Sequence, residues 1–315
     1  MATVTHDEIA SVSLSDADKN PDGFAKEIGH SFEDYGFAII ADHGIPAELI
    51  HRAEEKAKAF FALPDEVKRK YYVEGGRGQR GYTPFGIETA KGAKAHDLKE
   101  FWHMGRNLPP GHPNRSHMAD NLWPDEVQSF RETFTDLFAA FDTAGLKILR
   151  AIARFLKIDE DFFADAVRDG NSVLRLLRYP PIEGDAADHI RAGAHEDINA
   201  ITLLLGAEEA GLELLTKDRR WIPVSPKPGE MVVNIGDMLQ RLTNGLLRST
   251  SHRVINPPSE RRGHSRYSMP FFLHFRPDFM IEALASTVPQ GEQPNWPPIT
   301  ADDYLQERLK ELKLN

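Results

Sequence analysis

The chain has 315 residues, of which 41% are hydrophobic and 27% are charged, and its formal net charge is −10. This length allows one or two domains with a large buried core, and the composition is typical of a soluble globular protein. The acidic balance and the lack of a basic block argue against free nucleic-acid binding and against attraction to an anionic membrane. Because the chain has no cysteine, disulfides, thiolate metal sites and cysteine nucleophiles are excluded.

Targeting and membrane signals are weak throughout the sequence. The first residues show no basic stretch followed by an apolar segment, so we do not expect a secretory signal peptide. The longest apolar runs, such as 203–205, are far shorter than the roughly 18 residues of a membrane span. We therefore expect a cytoplasmic protein with no nucleic-acid or membrane partner, and its oligomeric state stays open.

The first hundred residues are mixed and mainly helical in pattern. Apolar residues at helical spacing and charged turns predict helical segments at 22–35, 46–61 and 65–70. Pro46 supports the start of the second helix, because proline is favoured in the first turn. A short strand is expected at 36–40. The glycine-rich residues 75–86 lack the strand–loop–helix context of a phosphate-binding loop and are predicted to form an ordinary loop.

The middle of the chain is predicted to be irregular and then helical. Proline, histidine and asparagine are frequent over 105–125, which indicates an irregular connection. A long amphipathic helix is predicted at 124–156, with Phe134 and Phe141 on its apolar side. A shorter helix is expected at 159–167.

The pattern changes after Asn171, where short strand-like runs alternate with glycine and proline. These runs lie at 173–179, 200–205, 212–215, 222–224, 230–235, 252–255 and 267–275. Many short strands at this spacing predict a β-sandwich or jelly roll. A final helix is expected at 300–312, capped by Thr300.

These elements predict a mixed α and β protein with a jelly-roll core wrapped by helices from both ends. The division that we expect is an N-terminal mixed region, connecting helices, the jelly-roll core and a C-terminal helical extension, at 1–110, 111–170, 171–280 and 281–315.

Two candidate metal ligands stand just before one of the predicted strands. His195 and Asp197 are two residues apart, and in an extended chain such residues point to the same face, so both could bind one ion. A His-x-Asp sequence is expected about once by chance in a chain with 13 histidines. By itself, the pair is explained more simply as part of a solvated loop.

His252 gives this pair a possible third partner. It begins a predicted strand far enough after Asp197 for the chain to cross a sandwich and return. A lone histidine beside apolar residues is most often structural. Two histidines and one carboxylate, however, form the facial triad of non-haem iron(II) oxygenases, which leaves metal positions open for substrates.

Arg266 and Ser268 form a second polar group at the start of the last predicted core strand. Period-two geometry puts both on one face. A guanidinium and a hydroxyl inside a barrel are costly without an anionic partner, and a carboxylate would satisfy both. If this strand is considered alone, an outward-facing arginine is an equally good explanation.

Together these five polar residues resemble the motifs of iron(II)/2-oxoglutarate dioxygenases of the isopenicillin N synthase-like family. The likeness covers nearly the whole chain. In the predicted core it includes 179–181, 211–214, 221–224, 228–229, 232–240, 243–245 and 251–254. In the N-terminal half it includes 35–37, 42–45, 81–82 and 97–100.

The resemblance implies a double-stranded β-helix core in which His195, Asp197 and His252 hold iron(II). It also implies that Arg266 and Ser268 bind the distal carboxylate of 2-oxoglutarate, while its keto-acid end chelates the metal. Tyr179 matches a tyrosine that often reaches the same co-substrate. Plant members commonly have asparagine two residues before that tyrosine, whereas this chain has Leu177, which weakens the case for a co-substrate contact on that side.

The implied reaction uses dioxygen and couples decarboxylation of 2-oxoglutarate to oxidation of an organic small molecule. Hydroxylation, desaturation and ring closure share such an iron site, and ethylene formation from 2-oxoglutarate is also open. The nearest alternative is an oxidase of the same fold that does not consume 2-oxoglutarate. An alternative of another class is a non-catalytic jelly-roll module that binds a metal or ligand. Tyr82, Phe85 and Phe272 are candidates for the substrate pocket.

Overall fold

The computed structural model describes residues 9–76, 78–87, 99–181, 191–206, 211–256 and 263–311. The helices are α1 (Asp16–Lys19), α2 (Pro21–Tyr35), α3 (Ala47–Phe61), α4 (Asp65–Lys68), α5 (Phe130–Phe155), α6 (Phe162–Val167), α7 (Asp237–Leu242) and α8 (Ala301–Glu311). Short 3-10 turns lie at Arg69–Tyr71, Pro113–His117 and Ala285–Thr287. None of the helices within these ranges combines the length and apolarity that crossing a bilayer requires.

The first strands are β1 (Ser11–Ser13), β2 (Phe37–Ala41), β3 (Gly81–Thr83), β4 (Glu100–Gly105), β5 (Val173–Tyr179), β6 (Ala192–His195) and β7 (Ile201–Leu205). The later strands are β8 (Leu212–Leu215), β9 (Trp221–Pro223), β10 (Met231–Ile235), β11 (His252–Val254), β12 (Arg266–Leu273), β13 (Met280–Ile281) and β14 (Ile299–Thr300).

Two sheets build the core. Eight strands form the larger sheet in the order β1-β2-β10-β7-β12-β5-β4-β3, and four form the smaller sheet in the order β6-β11-β8-β9. Strands β5 to β12 supply four neighbouring strands of each sheet, and apolar side chains of both sheets pack in one cluster between them, including Leu204, Val232, Leu214 and Ile222. The predicted jelly roll is therefore confirmed.

Side chains alternate along each strand, so one face of the larger sheet packs against helices and the other faces the smaller sheet. On the helical side, the ring of Phe271 stacks on Phe141 of α5, with centroids 5.2 Å apart. Leu273 lies on the same side, against Gly145 of α5. Side chains at the alternate positions of β12, including Arg266 and Ser268, point to the other face, toward the smaller sheet. The space between the sheets is thus where the predicted polar residues meet.

The long helix is shorter than predicted at its start. It begins at Phe130, although the sequence pattern predicts a start at 124. The preceding residue, Ser129, has a φ of 57°, and a residue in the left-handed region cannot continue an α-helix. Similarly, α6 begins at Phe162 and not at 159. The cap of α8 is as predicted, because the Asp303 amide donates to Oγ1 of Thr300 at 3.1 Å.

The N-terminal region contains more strand than predicted. Strand β3 lies inside the expected glycine-rich loop, and β4 extends into the expected irregular connection. Pairing explains both, because β4 lies antiparallel to β5 along its whole length and β3 pairs with β4. Strand β6 and helix α7 were also not predicted. Residues 97 and 98 of the family likeness, and the predicted helix end at 312, lie outside the described residues.

Candidate metal centre

His195 and His252 lie side by side at one end of the smaller sheet. His195 ends β6, His252 begins β11, and the two residues pair in register across these neighbouring strands. Their ring centroids are 4.4 Å apart. Asp197 follows β6 closely, two residues after its last position. The sheet pairing therefore gathers three residues that include one from a distant part of the sequence.

The three side chains point their ligand atoms at one another. Nε2 of His195 and Nε2 of His252 each lie 3.9 Å from Oδ1 of Asp197. All three ligand atoms lie within 4.8 Å of one another. Within the described ranges, this is the one group of three such side chains that could hold a metal ion.

Backbone carbonyls fix both imidazoles in one tautomer. Nδ1 of His195 donates to the Gly193 carbonyl at 2.7 Å, and Nδ1 of His252 donates to the Thr250 carbonyl at 3.1 Å. Because the Nδ1 proton is used in each ring, the lone pair lies on Nε2. The atoms that face Asp197 are therefore the ones that can bind a metal.

The carboxylate of Asp197 is also oriented by neighbours. Its Oδ2 accepts hydrogen bonds from Oγ1 of Thr202 at 2.6 Å and from Nδ2 of Asn234 at 2.8 Å. Oδ1 is the oxygen that faces the histidines. The sequence interpretation did not give Thr202 or Asn234 this role. Their only local signal was a polar residue inside each of two apolar strands, β7 and β10.

The charges of this group match a divalent metal. Burial, followed by the nearby His252, lowers the pKa of His195 to about 4, so its imidazole is neutral at pH 7. Burial raises the pKa of Asp197, but the two histidines and the hydrogen bonds from Thr202 and Asn234 outweigh it and lower the pKa overall. Two imidazoles and one carboxylate are the ligand set that suits iron(II) with open positions, so the residues fit this metal.

The second predicted group lies on two neighbouring strands of the larger sheet. Arg266 pairs with Tyr179, and Ser268 pairs with Leu177. Arg266 is only 2% exposed, and its guanidinium carbon lies 5.3 Å from the centroid of the Tyr179 ring. Its Nε is buried and has no hydrogen-bond partner among the described residues. A buried guanidinium with an unsatisfied donor fits the carboxylate of a small acid.

The three pocket candidates lie in different environments. Phe272 is on the face of β12 that carries Arg266 and Ser268. Tyr82 lies on the opposite, helical side, where its hydroxyl donates to Oε2 of Glu100 at 2.5 Å, so this candidate is removed from the space between the sheets. Phe85 is 39% exposed.

Comparisons with known proteins agree with this geometry. Residues 9–126 match the family model described as the N-terminal region of non-haem dioxygenases in morphine synthesis. Residues 170–275 match the model of the 2OG-Fe(II) oxygenase superfamily. The two matches together span both the helical region and the jelly roll.

Individual relatives are similar over nearly their whole length. The 2-oxoglutarate-Fe(II) type oxidoreductase hxnY of Emericella nidulans is 35% identical, covering 92% of this chain and 86% of that protein. A crystal structure of a 2OG-Fe(II) oxygenase family protein from Caulobacter crescentus is 56% identical with a TM-score of 0.91, covering 96% of this chain and 99% of that one. A Neurospora crassa protein, whose crystal structure is in complex with alpha-KG and thymine, is 28% identical with a TM-score of 0.87, covering 98% and 99%.

Proposed function

The chain belongs to the 2OG-Fe(II) oxygenase superfamily, and from this premise we propose which residues carry its reaction. The enzyme couples oxidative decarboxylation of 2-oxoglutarate to oxidation of an organic small molecule. We assign iron(II) to His195, Asp197 and His252. One observation carries this assignment: two Nε2 atoms and one Oδ1 atom converge, while the other ring nitrogens and the other carboxylate oxygen are already hydrogen-bonded.

We assign the distal carboxylate of 2-oxoglutarate to Arg266 and Ser268, with Tyr179 beside it. Support comes from the burial of Arg266, its unsatisfied Nε and its position on the same inner face as Ser268. Leu177, which stands where plant relatives have asparagine, packs with Tyr179 and Phe101 in a small apolar cluster. Leu177 therefore adds an apolar surface beside Tyr179 and no hydrogen-bond donor for the co-substrate.

The protein's own contribution is orientation, charge compensation and exclusion of water. When bound, iron(II) supplies the dioxygen chemistry that side chains lack. Three protein ligands leave coordination positions for the co-substrate and dioxygen. Arg266 compensates the distal charge of 2-oxoglutarate, so this dianion can be bound away from water. Thr202 and Asn234 donate to Oδ2 of Asp197, so Oδ1, which faces the two histidines, is the oxygen that would hold the metal.

Formation of succinate without any second substrate tests this assignment. Purified protein with iron(II) and 2-oxoglutarate should form succinate slowly in air, because a bound keto acid still allows occasional reaction with dioxygen. His195→Ala and Arg266→Ala should each suppress it, the first through the metal and the second through the co-substrate. Arg150→Ala, a change on the exposed surface of α5, is the matched control and should leave it unchanged. If fully iron-loaded protein forms no succinate, even across a broad metabolite screen, the oxidase alternative is favoured.

The remaining parts of the proposal concern partners, location and organisation. We propose that the substrate is a small molecule, which agrees with the crystal structure of the Neurospora crassa protein in complex with thymine. We propose no nucleic-acid or membrane partner. We also propose a cytoplasmic location, since a chain without cysteine does not depend on an oxidising compartment. We also propose that the chain divides into an N-terminal mixed region (1–110), connecting helices (111–170), the jelly-roll core (171–280) and a C-terminal helical extension (281–315).

A further inference from the structure

Helix α7 lies against the loop that carries Asp197. The first amides of a helix have no partner within it, and here carbonyls of the loop accept from two of them. The Asp237 amide donates to the Asp197 carbonyl at 2.7 Å. The Met238 amide donates to the carbonyls of Ile198 and Asn199, at 3.2 Å in each case. The start of α7 therefore fixes the backbone from which a proposed metal ligand projects.

The same helix also holds the segment that precedes His252. Oε1 of Gln240 accepts from the Ser249 amide at 2.9 Å. Thr250, the next residue, carries the carbonyl that accepts from Nδ1 of His252. One short helix thus supports the surroundings of two of the three proposed ligands, Asp197 and His252.

Helix α8, close to the C-terminus, holds the side chain of Asp237. This side chain is buried, and its Oδ2 accepts from the Tyr304 hydroxyl at 3.1 Å. Nε of Arg308, one turn further along α8, lies 3.5 Å from the same oxygen. Burial, followed by the charge of Asp237, raises the pKa of Tyr304, so its hydroxyl keeps its proton and remains a donor. Asp237 thus connects α8, through its carboxylate, with Asp197, through its backbone amide.

Other contacts fix the position of α7 relative to the C-terminal extension. Asn244, two residues after α7, accepts twice from Asn295: its Oδ1 from the Asn295 amide at 2.8 Å, and its carbonyl from Nδ2 at 2.9 Å. Nη2 of Arg241 donates to the Pro297 carbonyl at 3.0 Å. The guanidinium carbon of Arg241 lies 4.9 Å from the centroid of the Tyr304 ring. The Tyr304 hydroxyl therefore reaches Asp237 from a defined direction.

We propose that Tyr304 is a positioning residue for the iron site, which acts on Asp197 through Asp237. This inference rests on the proposed function and deepens it. Hydrogen bonds are directional, so the two contacts of Asp237 set where the Asp197 carbonyl, and with it the Asp197 carboxylate, lies. Apolar packing of α8 would bury α7 without fixing that direction, because the hydrophobic effect is not directional.

The iron(II) affinity of Tyr304→Phe tests the proposal. The variant keeps the ring, which belongs to the main apolar cluster, and removes only the hydroxyl. Competition with a chelator, under anaerobic conditions and without 2-oxoglutarate, should show binding weakened about three- to tenfold, less than for a group that contacts a metal ligand directly. The visible bands of the cobalt(II)-substituted protein should also shift, because they report the geometry of the ligands.

Tyr71→Phe is the matched control. The Tyr71 hydroxyl donates to Oε2 of Glu126 at 2.6 Å, so this variant also loses a hydrogen bond from a tyrosine to a carboxylate. The Tyr71 ring packs with Trp102 on the helical side of the larger sheet, away from the triad. We expect Tyr71→Phe to have the iron affinity and cobalt spectrum of the wild type, even where its unfolding midpoint falls.

A double-mutant cycle separates the contact of Tyr304 with Asp237 from a general loss of packing. Asp237→Ala removes the acceptor but keeps the backbone amide, and it should weaken iron(II) binding at least as much as Tyr304→Phe. On the Asp237→Ala background, Tyr304→Phe should add no further loss, because its hydroxyl has no acceptor there. Asp237→Asn keeps an acceptor oxygen and should retain most of the affinity.

Three results would overturn the proposal. The first is an iron affinity and a cobalt spectrum in Tyr304→Phe equal to those of Tyr71→Phe. The second is an equal loss from Tyr304→Phe with and without the Asp237 carboxylate. The third, which decides even where Tyr304→Phe does not fold, is equal iron affinity in Asp237→Asn and Asp237→Ala. A wild-type protein that binds no iron(II) would be a separate result, which contradicts the proposed function and this inference with it.

Discussion

Oγ1 of Thr202 donates a hydrogen bond of 2.6 Å to Oδ2 of Asp197. Thr202 is buried in β7, and Nδ2 of Asn199 donates to its hydroxyl at 3.2 Å, so the donor itself is oriented by a neighbour. This places the proposed metal ligand under the control of a strand of the larger sheet. The metal centre therefore joins the two sheets, because both histidines belong to the smaller one.

Replacing this threonine should weaken metal binding without removing a ligand. Thr202→Val keeps the shape of the side chain but leaves Asp197 with one donor fewer. We expect iron(II) affinity to fall about 10- to 100-fold, the usual effect of removing a hydrogen bond that orients a metal ligand. Competition with a chelator under anaerobic conditions measures it. Thr202→Ser keeps the hydroxyl and serves as the control; unchanged affinity in Thr202→Val would mean that Asn234 alone orients Asp197.

Removing a histidine of the triad should have a larger and different effect. In His252→Ala we expect loss of stoichiometric iron(II) binding and of turnover, while the circular dichroism spectrum stays that of the wild type. The reason is that His252 lies at the start of a three-residue strand whose backbone pairing does not need the imidazole. Its buried ring contacts Phe37, with centroids 5.4 Å apart, so some packing is lost together with the ligand. His51→Ala, whose side chain is 72% exposed on α3, is the matched control. Full iron occupancy in His252→Ala would exclude this residue from the site.

A substitution of Arg266, the proposed anchor of the co-substrate, should weaken 2-oxoglutarate binding without weakening metal binding. Arg266→Ala should leave iron affinity near normal but raise the apparent 2-oxoglutarate constant by one to three orders of magnitude, about 1.4–4 kcal/mol for a charge-assisted pair in a dry site. Arg266→Lys should recover part of the loss, because an ammonium lacks the planar fork. Anaerobic titration with a metal-to-ligand charge-transfer band gives the constant. No change in Arg266→Ala would identify another anchor.

The jelly roll could be predicted from sequence because its strands carry their own signal. Strand β5 was predicted with its observed bounds, because it is a short run rich in apolar residues that two prolines end. What such a run cannot give is which face points inward. Arg175 and Arg178 are both on β5, yet Arg175 lies between two rings inside the barrel, whereas Arg178 donates to Glu100 on the outer side at 2.6 Å. Only the packing of the second sheet distinguishes them.

The elements that were missed depend on distant partners. Strand β4 begins with Glu100, a residue that is usually found at the surface, yet here its side chain is fully buried. Burial is possible because donors arrive from separate elements of the fold: Lys68 from α4, Tyr82 from β3 and Arg178 from β5. No local sequence pattern indicates such a network. A buried strand around position 100 could therefore not be predicted from the sequence.

This network leads to a prediction on stability that is independent of the metal. Glu100→Gln keeps the size of the side chain but removes the charge that compensates Lys68, whose side chain is 3% exposed. Breaking a buried ion pair from one side typically costs about 3–5 kcal/mol, and we expect a loss of that order in the free energy of unfolding. Tyr82→Phe removes one donor only and should cost about 1–3 kcal/mol. Burial and Glu100 raise the pKa of Tyr82, so its hydroxyl stays protonated and remains a donor throughout the working range.

Urea unfolding of the metal-free protein measures these losses, since bound iron would add its own stabilisation. Lys70→Met removes one partner of an exposed pair with Glu126, 3.6 Å apart, and is the control that should leave the unfolding midpoint unchanged. Folded Glu100→Gln protein should still bind iron(II), because Glu100 lies on the side of the larger sheet away from the triad. A loss in Glu100→Gln no larger than in Tyr82→Phe would show that Asp65, which lies 3.0 Å from Nζ of Lys68, is sufficient to compensate that charge.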